Sequence, residues 1–490
     1  MDIGVGQLLA RTWRRIVGDG RAGKRATRAH EACTGKRADP EDAGTTQALA
    51  LLDPGVQAQY LSLEELIATR PWQFLYELVP FKEALTSRLP LDDAFKVLRA
   101  LLKLPASATV EHHPVKSLAD VSAENAIVYR ETAPSGVAFT VQPPRIVGTG
   151  DQRPIECVTR SLYVACLPDA CVRGRSSFVE FRGAELLDFQ GEELDRVDDR
   201  LVLDLPVLQA SKEAVWISSS PQEAMELDEA FNLLGPQAPQ FGHWIWEYIP
   251  KYVAASMAAP ELAEVPVLID AHMPHTHRQC LEMVMPSGSR VIELPFATSV
   301  RVHHLWCAPR LFYMPLHPGT VDPSWPAPLV AHPVRFAAVI REMWQRMEPS
   351  IPRSSGPTRI FLARKPDQQR KLVNHPMIEQ AAMDAGFAIV YPQDLDFAKQ
   401  MQLLRDARYI IGSRGSALFL TFFARPNSKL CILTSTRVQR FALLTGTLDE
   451  IGVETTILTG PIAQDDAVAH FADYAIPEGD FRKFLEEWLL

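Results

Sequence analysis

The sequence predicts an α/β protein built on doubly wound parallel sheets, and three observations carry that expectation. From residue 228 onward, apolar runs of strand length alternate with helical stretches, the rhythm that βαβ units impose. The alternation occurs on both sides of a Pro-rich stretch from Pro315 to Pro333, which reads as a hinge. The chain has 490 residues, 47% of them apolar and 22% charged; at roughly 100–200 residues per domain it holds two to four domains with full cores. Two α/β units across a hinge imply a ligand cleft between them.

Taken in chain order, residues 1–46 read as a basic, disordered tail, with 18–46 as linker. Residues 47–110 form a helical extension. Ser62-x-x-Glu65 has the form of a capping box, and Leu66, Phe74, Leu78, Phe95, Leu98 and Leu102 supply apolar stripes broken by Pro71, Pro80 and Pro90. Residues 111–330 form the first α/β domain. It opens with a strand-rich layer (Ile127–Tyr129, Ala138–Val141, Ser161–Ala165, Ser177–Phe181, Ala214–Ser218), interrupted by the charged run Gln190–Asp199. The helix Phe241–Met257, strand Val265–Ile269, helix His275–Met285 and strands Arg290–Glu293 and Val300–Trp306 follow. Residues 331–465 form the second domain. Its helices are Pro333–Met347, Pro376–Ala385, Asp396–Asp406 and Ser416–Phe423, and its strands Arg359–Ala363, Ala388–Tyr391, Tyr409–Ile411 and Leu430–Leu433. Residues 466–490 form a C-terminal helix.

Charge and cysteine content narrow the function classes. The net charge is −9, but residues 1–40 hold nine Lys or Arg against four acids, leaving −14 for the remainder. An acidic body excludes affinity based on phosphate neutralisation of nucleic acid. In the basic head, Leu9, Trp13, Ile16 and Val17 share a helical face opposite Arg11, Arg14 and Arg15, which fits weak contact of residues 1–30 with an anionic membrane surface. No run approaches the ~20 apolar residues of a membrane span, and Gln7–Ala10 is too short for a signal-peptide core. The expected location is therefore cytoplasmic, or peripheral at the inner face of the membrane. Cys157, Cys166 and Cys171 crowd together without paired C-x-x-C spacing, so reduced thiols are expected.

Four segments could carry chemistry. Gly412-Ser413-Arg414-Gly415-Ser416 joins a strand to a helix; backbone N–H groups at a helix start, two hydroxyls and a guanidinium suit a phosphate, although such a turn also needs glycine for backbone reasons alone. Arg359 opens the strand that ends at Arg364 and Lys365, and ligands gather at the carboxyl ends of parallel strands. His243 and Glu247 stand four residues apart on one helical face, and either can serve as general base. Trp244, Trp246 and Tyr248 beside them suit sugar stacking or a plain core. Finally, His272, His275 and His277, with His303 and His304 downstream, raise a metal-dependent hydrolase as a competing reading; Pro274 and the lack of a carboxylate at ligand spacing speak against it.

Over roughly residues 170–460 these motifs resemble glycosyltransferase family 61, a group associated with capsular polysaccharide. The family's N-x-G-H-W-x-x-[DE]-x-x-P helix is matched by Gly242, His243, Trp244, Glu247 and Pro250, and its R-I-Y-L-S-R-R strand by Arg359 to Lys365. Arg370, Lys371 and Asn374 match a basic pair and Asn; Pro392, Asp394, Leu395, Phe397 and Gln400 match P-E-x-L-S-F-x-x-Q; Gly412, Gly415, Ser416 and Leu418 match the G-x-H-G-[AS]-G-L-x-N loop. The sequence departs from the family at Gln240, Arg414, Ala417, Leu420 and Ile432. Arg414 stands where the loop has His, and it can donate to phosphate while permanently charged.

The resemblance implies a GT-B-like architecture, two Rossmann-like domains facing a cleft, and inverting transfer of a sugar from a nucleotide-sugar to a glycan or lipid-linked acceptor without a metal or other cofactor. Arg359, Arg364, Lys365 and Gly412–Ser416 would hold the donor diphosphate, His243 or Glu247 would be the base, and Trp244, Asn374 and Asp394 would contact donor or acceptor. A catalytically degenerate binding protein of the same shape is the alternative.

Overall fold

The computed structural model describes residue 45 and residues 47–490 apart from 187–203, 211–213, 220–224, 313–330, 366–369, 437–441 and 465–471 and short gaps at 70, 106, 117, 119–120, 122–126, 149, 151–152, 297 and 354. The basic tail and its membrane reading, the run Gln190–Asp199 and nearly all of the Pro-rich hinge lie outside the described residues.

After a short helical stretch at residues 47–50, the helical extension runs through Pro54–Thr69, Pro71–Arg88 and Leu91–Leu102. Asp53 Oδ1 accepts the amides of Gly55 and Val56 at 2.9 and 3.0 Å, so the helix Pro54–Thr69 starts at Pro54, and Ser62 and Glu65 fall inside it rather than at its cap. An aspartate followed by proline is the stronger start signal. Pro80 lies within the helix Pro71–Arg88 instead of ending it. Leu78, Phe81, Leu85, Phe95, Leu98 and Leu102 form a small core with Leu205 and Leu208. Beside it the buried Lys82 ammonium donates to the carbonyls of Asp204, Leu205 and Val207 at 2.8, 3.2 and 2.6 Å. Burial pushes Lys82 down and the Asp204 carboxyl up, and their opposite charges hold the pair together.

The larger sheet has eleven strands among the described residues. One end is parallel, in the order Val291–Leu294, Val267–Asp270, Met225–Asn232, Ser299–Cys307. Counted along the chain this is 3-2-1-4, a doubly wound order whose switch point lies between Met225–Asn232 and Ser299–Cys307. Val267–Asp270 is buried throughout, as a parallel strand covered on both faces must be. Leu162–Arg173 pairs antiparallel with Ser299–Cys307 and continues the sheet into the strand-rich layer.

The smaller sheet is wholly parallel: Ala388–Val390, Arg359–Leu362, Tyr409–Ser413, Lys429–Ser435, Glu454–Gly460, Arg145–Val147. The first five follow the order 2-1-3-4-5, with a switch point between Arg359–Leu362 and Tyr409–Ser413. The edge strand Arg145–Val147 comes from ahead of the larger sheet's long strand, so the chain ties the two units together before either is complete. Ser416–Phe423 is a 3-10 helix rather than an α-helix. With three residues per turn, Phe419 and Phe422 eclipse, and both meet Trp246, at ring-centroid distances of 5.3 and 4.2 Å.

That contact belongs to a core running through both units. Trp246 also packs on Phe312 and Phe336, at 4.5 and 4.8 Å, and the same cluster takes in Ile360, Ile410 and Leu418 of the smaller sheet's layer. The six described cysteines are buried and form no disulfide among the described residues. Among the described residues no helix is long and apolar enough to cross a membrane.

Replacing Lys82 by Met leaves the Asp204 carboxyl and three carbonyls buried without their cation. We expect the urea-unfolding free energy to fall by about 3–5 kcal/mol, the usual loss when one partner of a buried pair is removed. An unchanged urea midpoint would show that the bridge does not hold the helical extension in place.

Candidate functional site

The site begins where strand Met225–Asn232 leaves the larger sheet. A helix opens at Phe241–His243, widens to a π-turn over Trp244–Tyr248 and resumes as α-helix over Ile249–Ala258. The widening has a local cause. Pro250 has no N–H to donate, and the preceding Ile249 amide reaches back five residues to the Trp244 carbonyl. Such bulges recur at functional positions.

Within this turn His243 Nδ1 lies 3.0 Å from Glu247 Oε1. Arg310 Nη1 donates to Glu247 Oε2, also at 3.0 Å, with its guanidinium over the Tyr248 ring. The His243 side chain is 11% exposed and Glu247 0%, so the imidazole meets solvent while the carboxylate is sealed beneath it. Arg310 follows the carboxyl end of Ser299–Cys307, which places all three groups at the larger sheet's switch point.

Arg364 and Arg414 stand at the other switch point. They follow the carboxyl ends of the neighbouring strands Arg359–Leu362 and Tyr409–Ser413, and Arg364 Nη1 donates to the Arg414 carbonyl at 2.6 Å. The Arg364 guanidinium lies flat on Gly415: a Cβ added there would sit 3.2 Å from its Nε, Cζ and Nη1. Gly415 is extended, so glycine is needed here for space and not for backbone freedom. Arg370 and Tyr474 complete the cluster. Burial pushes Arg414 down to about 9, and the charges of Arg370 and Arg364 push the same way. Burial likewise lowers Arg364 and lifts the Tyr474 phenol to about 12, opposed by the Ser413 hydroxyl and all three guanidiniums. Tyr474 Oη donates to the Leu433 carbonyl at 2.9 Å.

Arg370 is held in the left-handed region, φ 59°, which costs about 1 kcal/mol for a non-glycine residue. The segment after it supplies the restraint: Lys371 N donates to Asp473 Oδ1 at 2.7 Å, and Tyr474 N to the Lys371 carbonyl at 2.9 Å.

The two groups of residues are neighbours. A Cβ on Gly242 would lie 2.8 Å from the Phe419 ring and 3.2 Å from Ser416 Oγ, so only glycine lets the helix carrying His243 close on the loop carrying Arg414. The structure thus brings together His243, Glu247, Arg364, Arg414, Gly415 and Ser416, with Ser413 beneath them on Tyr474.

Other expected site residues sit elsewhere or are engaged otherwise. Arg359 lies at the amino end of its strand, about 3.3 Å per residue away from Arg364; it bonds the Ala385 carbonyl at 2.7 Å and covers the Tyr409 ring. Lys365 pairs with Asp394 at 2.5 Å. The Asn374 amide is held by the Ile476 backbone, donating at 2.7 Å and accepting at 3.3 Å. Trp244 is fully buried, its indole donating to the His277 carbonyl at 2.9 Å, so it is core and not a sugar platform. Gly412 is a packing glycine whose Cβ would meet Leu418 at 2.9 Å. The Arg414 amide continues the ladder to the Leu433 carbonyl at 2.9 Å, which removes it from the set of outward-facing N–H groups.

Three residues escaped the sequence reading of the site: Arg310, Arg370 and Tyr474. Arg370 was visible in the basic pair matched above. Arg310, just beyond a strand's carboxyl end, had a positional signal; Tyr474 had none. The histidine run separates, with His277 buried between Phe241 and Trp244. Among the described residues no group of three or more His, Cys, Asp or Glu is placed to hold a metal ion.

The family model described as Glycosyltransferase 61 matches residues 241–431, from the π-turn helix to the fourth strand of the smaller sheet. No curated protein matches the chain.

Burial pushes His277 down to about 4, below the ~6.5 of an unfolded imidazole. Stability from its neutral form is complete above pH 6.5 and is lost as pH falls through 4, because the unfolded chain takes up the proton first. We expect the wild type to lose on the order of 3 kcal/mol of unfolding free energy across that window, and His277→Phe to lose less. Parallel pH–stability curves in urea would show that His277 is not the group responsible.

Proposed function

We propose that this chain, whose residues 241–431 belong to glycosyltransferase family 61, is an inverting glycosyltransferase that moves a sugar from a nucleotide-sugar donor to a glycan or lipid-linked acceptor in polysaccharide or glycolipid assembly. The observation that carries this reading is the meeting of two switch points, one with three arginines and one with a His–Glu pair, across the Gly242–Ser416 contact. The two doubly wound units serve as the halves of a GT-B-like frame.

The chemistry follows from which atoms remain available. Both Glu247 oxygens are engaged, one with His243 and one with Arg310, and the carboxylate is fully buried. It accepts from His243 Nδ1–H and leaves the Nε2 lone pair toward solvent, so His243 is the base and Glu247 fixes its tautomer and orientation. The acceptor hydroxyl gives its proton to Nε2 as its oxygen attacks the anomeric carbon. The bond from that carbon to the diphosphate oxygen breaks, and the electron pair leaves with the nucleotide. A single displacement inverts the centre.

Negative charge then grows on the diphosphate, where Arg364, Arg370 and Arg414 are already in place. Their mutual repulsion is a cost carried by the free protein, and a bound anion relieves it; preorganised charge of this kind needs no reorganisation during reaction. Guanidiniums take the part a divalent ion would otherwise play, so EDTA should leave turnover unchanged.

A calorimetric screen with UDP-, GDP- and CMP-sugars tests the reading. Arg364→Gln and Arg414→Gln should each weaken binding of the accepted donor roughly 10- to 100-fold, the worth of a charge-assisted hydrogen bond. His243→Ala and Glu247→Gln should bind it normally while turnover falls roughly 10²–10⁴-fold. Binding of no donor, or binding without consumption in the presence of glycan acceptors, points to the degenerate binding protein instead.

A further inference from the structure

We infer that Arg310 is a positioning residue of the reaction, acting on the base through Glu247, an assignment that rests on the proposed glycosyl transfer. Arg310 is 5% exposed and Glu247 0%, so their 3.0 Å contact is made out of water, where a carboxylate without a cation would take up a proton. A protonated Glu247 could no longer serve as acceptor for His243 Nδ1–H, and the ring would be free to adopt the other tautomer, with its proton on Nε2. Arg310 keeps the carboxylate ionised, and the imidazole then presents a lone pair to the acceptor hydroxyl. The guanidinium itself lies beneath Glu247 and over Tyr248, away from the reacting atoms.

The order of the chain supports the same role. Arg310 extends from strand Ser299–Cys307 and Glu247 from the helix after Met225–Asn232, the two strands that flank the larger sheet's switch point. The ion pair therefore ties both sides of that switch point directly beneath His243. His243 and Arg310 bond the Glu247 carboxylate directly; the buried Lys251 lies one turn further along the same helix, Arg364, Arg370 and Arg414 stand across the Gly242–Ser416 contact, and His277 faces Trp244 from the adjacent helix. Removing the Arg310 charge raises the proton affinity of the His243–Glu247 pair whichever member holds the proton.

The test compares Arg310→Met, Arg310→Lys and the double variant Glu247→Gln/Arg310→Met, with donor binding by calorimetry and transfer across pH. In Arg310→Met we expect unchanged donor affinity, kcat lower by roughly 10- to 100-fold, and an acidic limb of the pH–rate profile moved upward by about 1–3 units. Arg310→Lys, which keeps the charge, should leave the limb in place and recover most of the rate. Because Arg310 acts only through Glu247, the double variant should turn over no more slowly than Glu247→Gln alone. That variant also replaces the buried pair with neutral groups and carries the test if Arg310→Met does not fold.

A limb that stays put in Arg310→Met, equal rates for the Met and Lys variants, or a further tenfold loss in the double variant would each overturn the assignment. A wild type that transfers no sugar overturns the parent reading and this one together, whereas an active wild type with indifferent Arg310 variants overturns this one alone.

Discussion

The site depends on how closely the helix at Gly242 approaches the 3-10 helix at Ser416. Neither switch point is complete by itself, because one holds the His–Glu pair and the other the guanidiniums. They become one site only because Gly242 has no side chain to hold the Phe419 ring away and because Trp246, one turn further on, is locked among Phe312, Phe336, Phe419 and Phe422. A buried aromatic cluster of this size contributes several kcal/mol through apolar area and edge contacts. That energy orients the seam, since a tryptophan packed on four rings tolerates little sliding. The same helix thus has two jobs on two faces: its indole fixes the units to each other, and its imidazole is presented where they meet.

Such a seam lets the protein hold like charges together. Burial works against the charge of both Arg414 and Arg364, and at Arg414 the neighbouring guanidiniums of Arg370 and Arg364 push the same way. The folded chain meets this cost with backbone carbonyls and packing. Arg364 donates to the Arg414 carbonyl and rests on Gly415, and Arg370 is fixed by the paired segment at Lys371 and Tyr474. In the proposed reaction that repulsion would favour a bound diphosphate without dependence on outward-facing main-chain amides, which the Arg414 amide's place in the strand ladder makes less available.

How much of this was legible in the sequence depended on range. The alternation of strands and helices is a local pattern, and it placed both parallel runs and the His243–Glu247 pairing, which needs only a four-residue helical spacing. Arg364 and Arg414 could be placed at neighbouring strand ends because the carboxyl ends of parallel strands can be located from strand boundaries alone. Arg359 misled for the same reason: residue type and motif membership do not say which end of a strand a side chain serves. Trp244 stayed open between a sugar contact and the core because composition cannot separate a buried indole from an exposed one. The capping-box reading at Ser62 failed because a stronger start, Asp53-Pro54, stood ahead of it. Arg310, Arg370 and Tyr474 join the site through contacts far apart in the chain, and Tyr474 in particular arrives on a two-residue strand that carries no periodic signal.

The motifs themselves divide between chemistry and framework, and more of their residues belong to the second. Gln400 donates to the carbonyls of Pro392 and Leu395 at 2.8 and 3.0 Å, which fixes the turn holding Asp394 against Lys365. Asn374 binds the Ile476 backbone and so aligns the segment that carries Tyr474. Gly412 admits Leu418, and Gly415 admits Arg364. This division explains how the loop can carry Arg414, Ala417 and Leu420 without losing its shape. Leu420 and Ile432 point into the shared core, where an apolar side chain adds packing and a polar one would need a partner. Arg414 reaches the cluster from a backbone position already set by the ladder to Leu433. Exchanging the side chain at that position alters the charge offered to an anion and leaves the geometry that offers it intact.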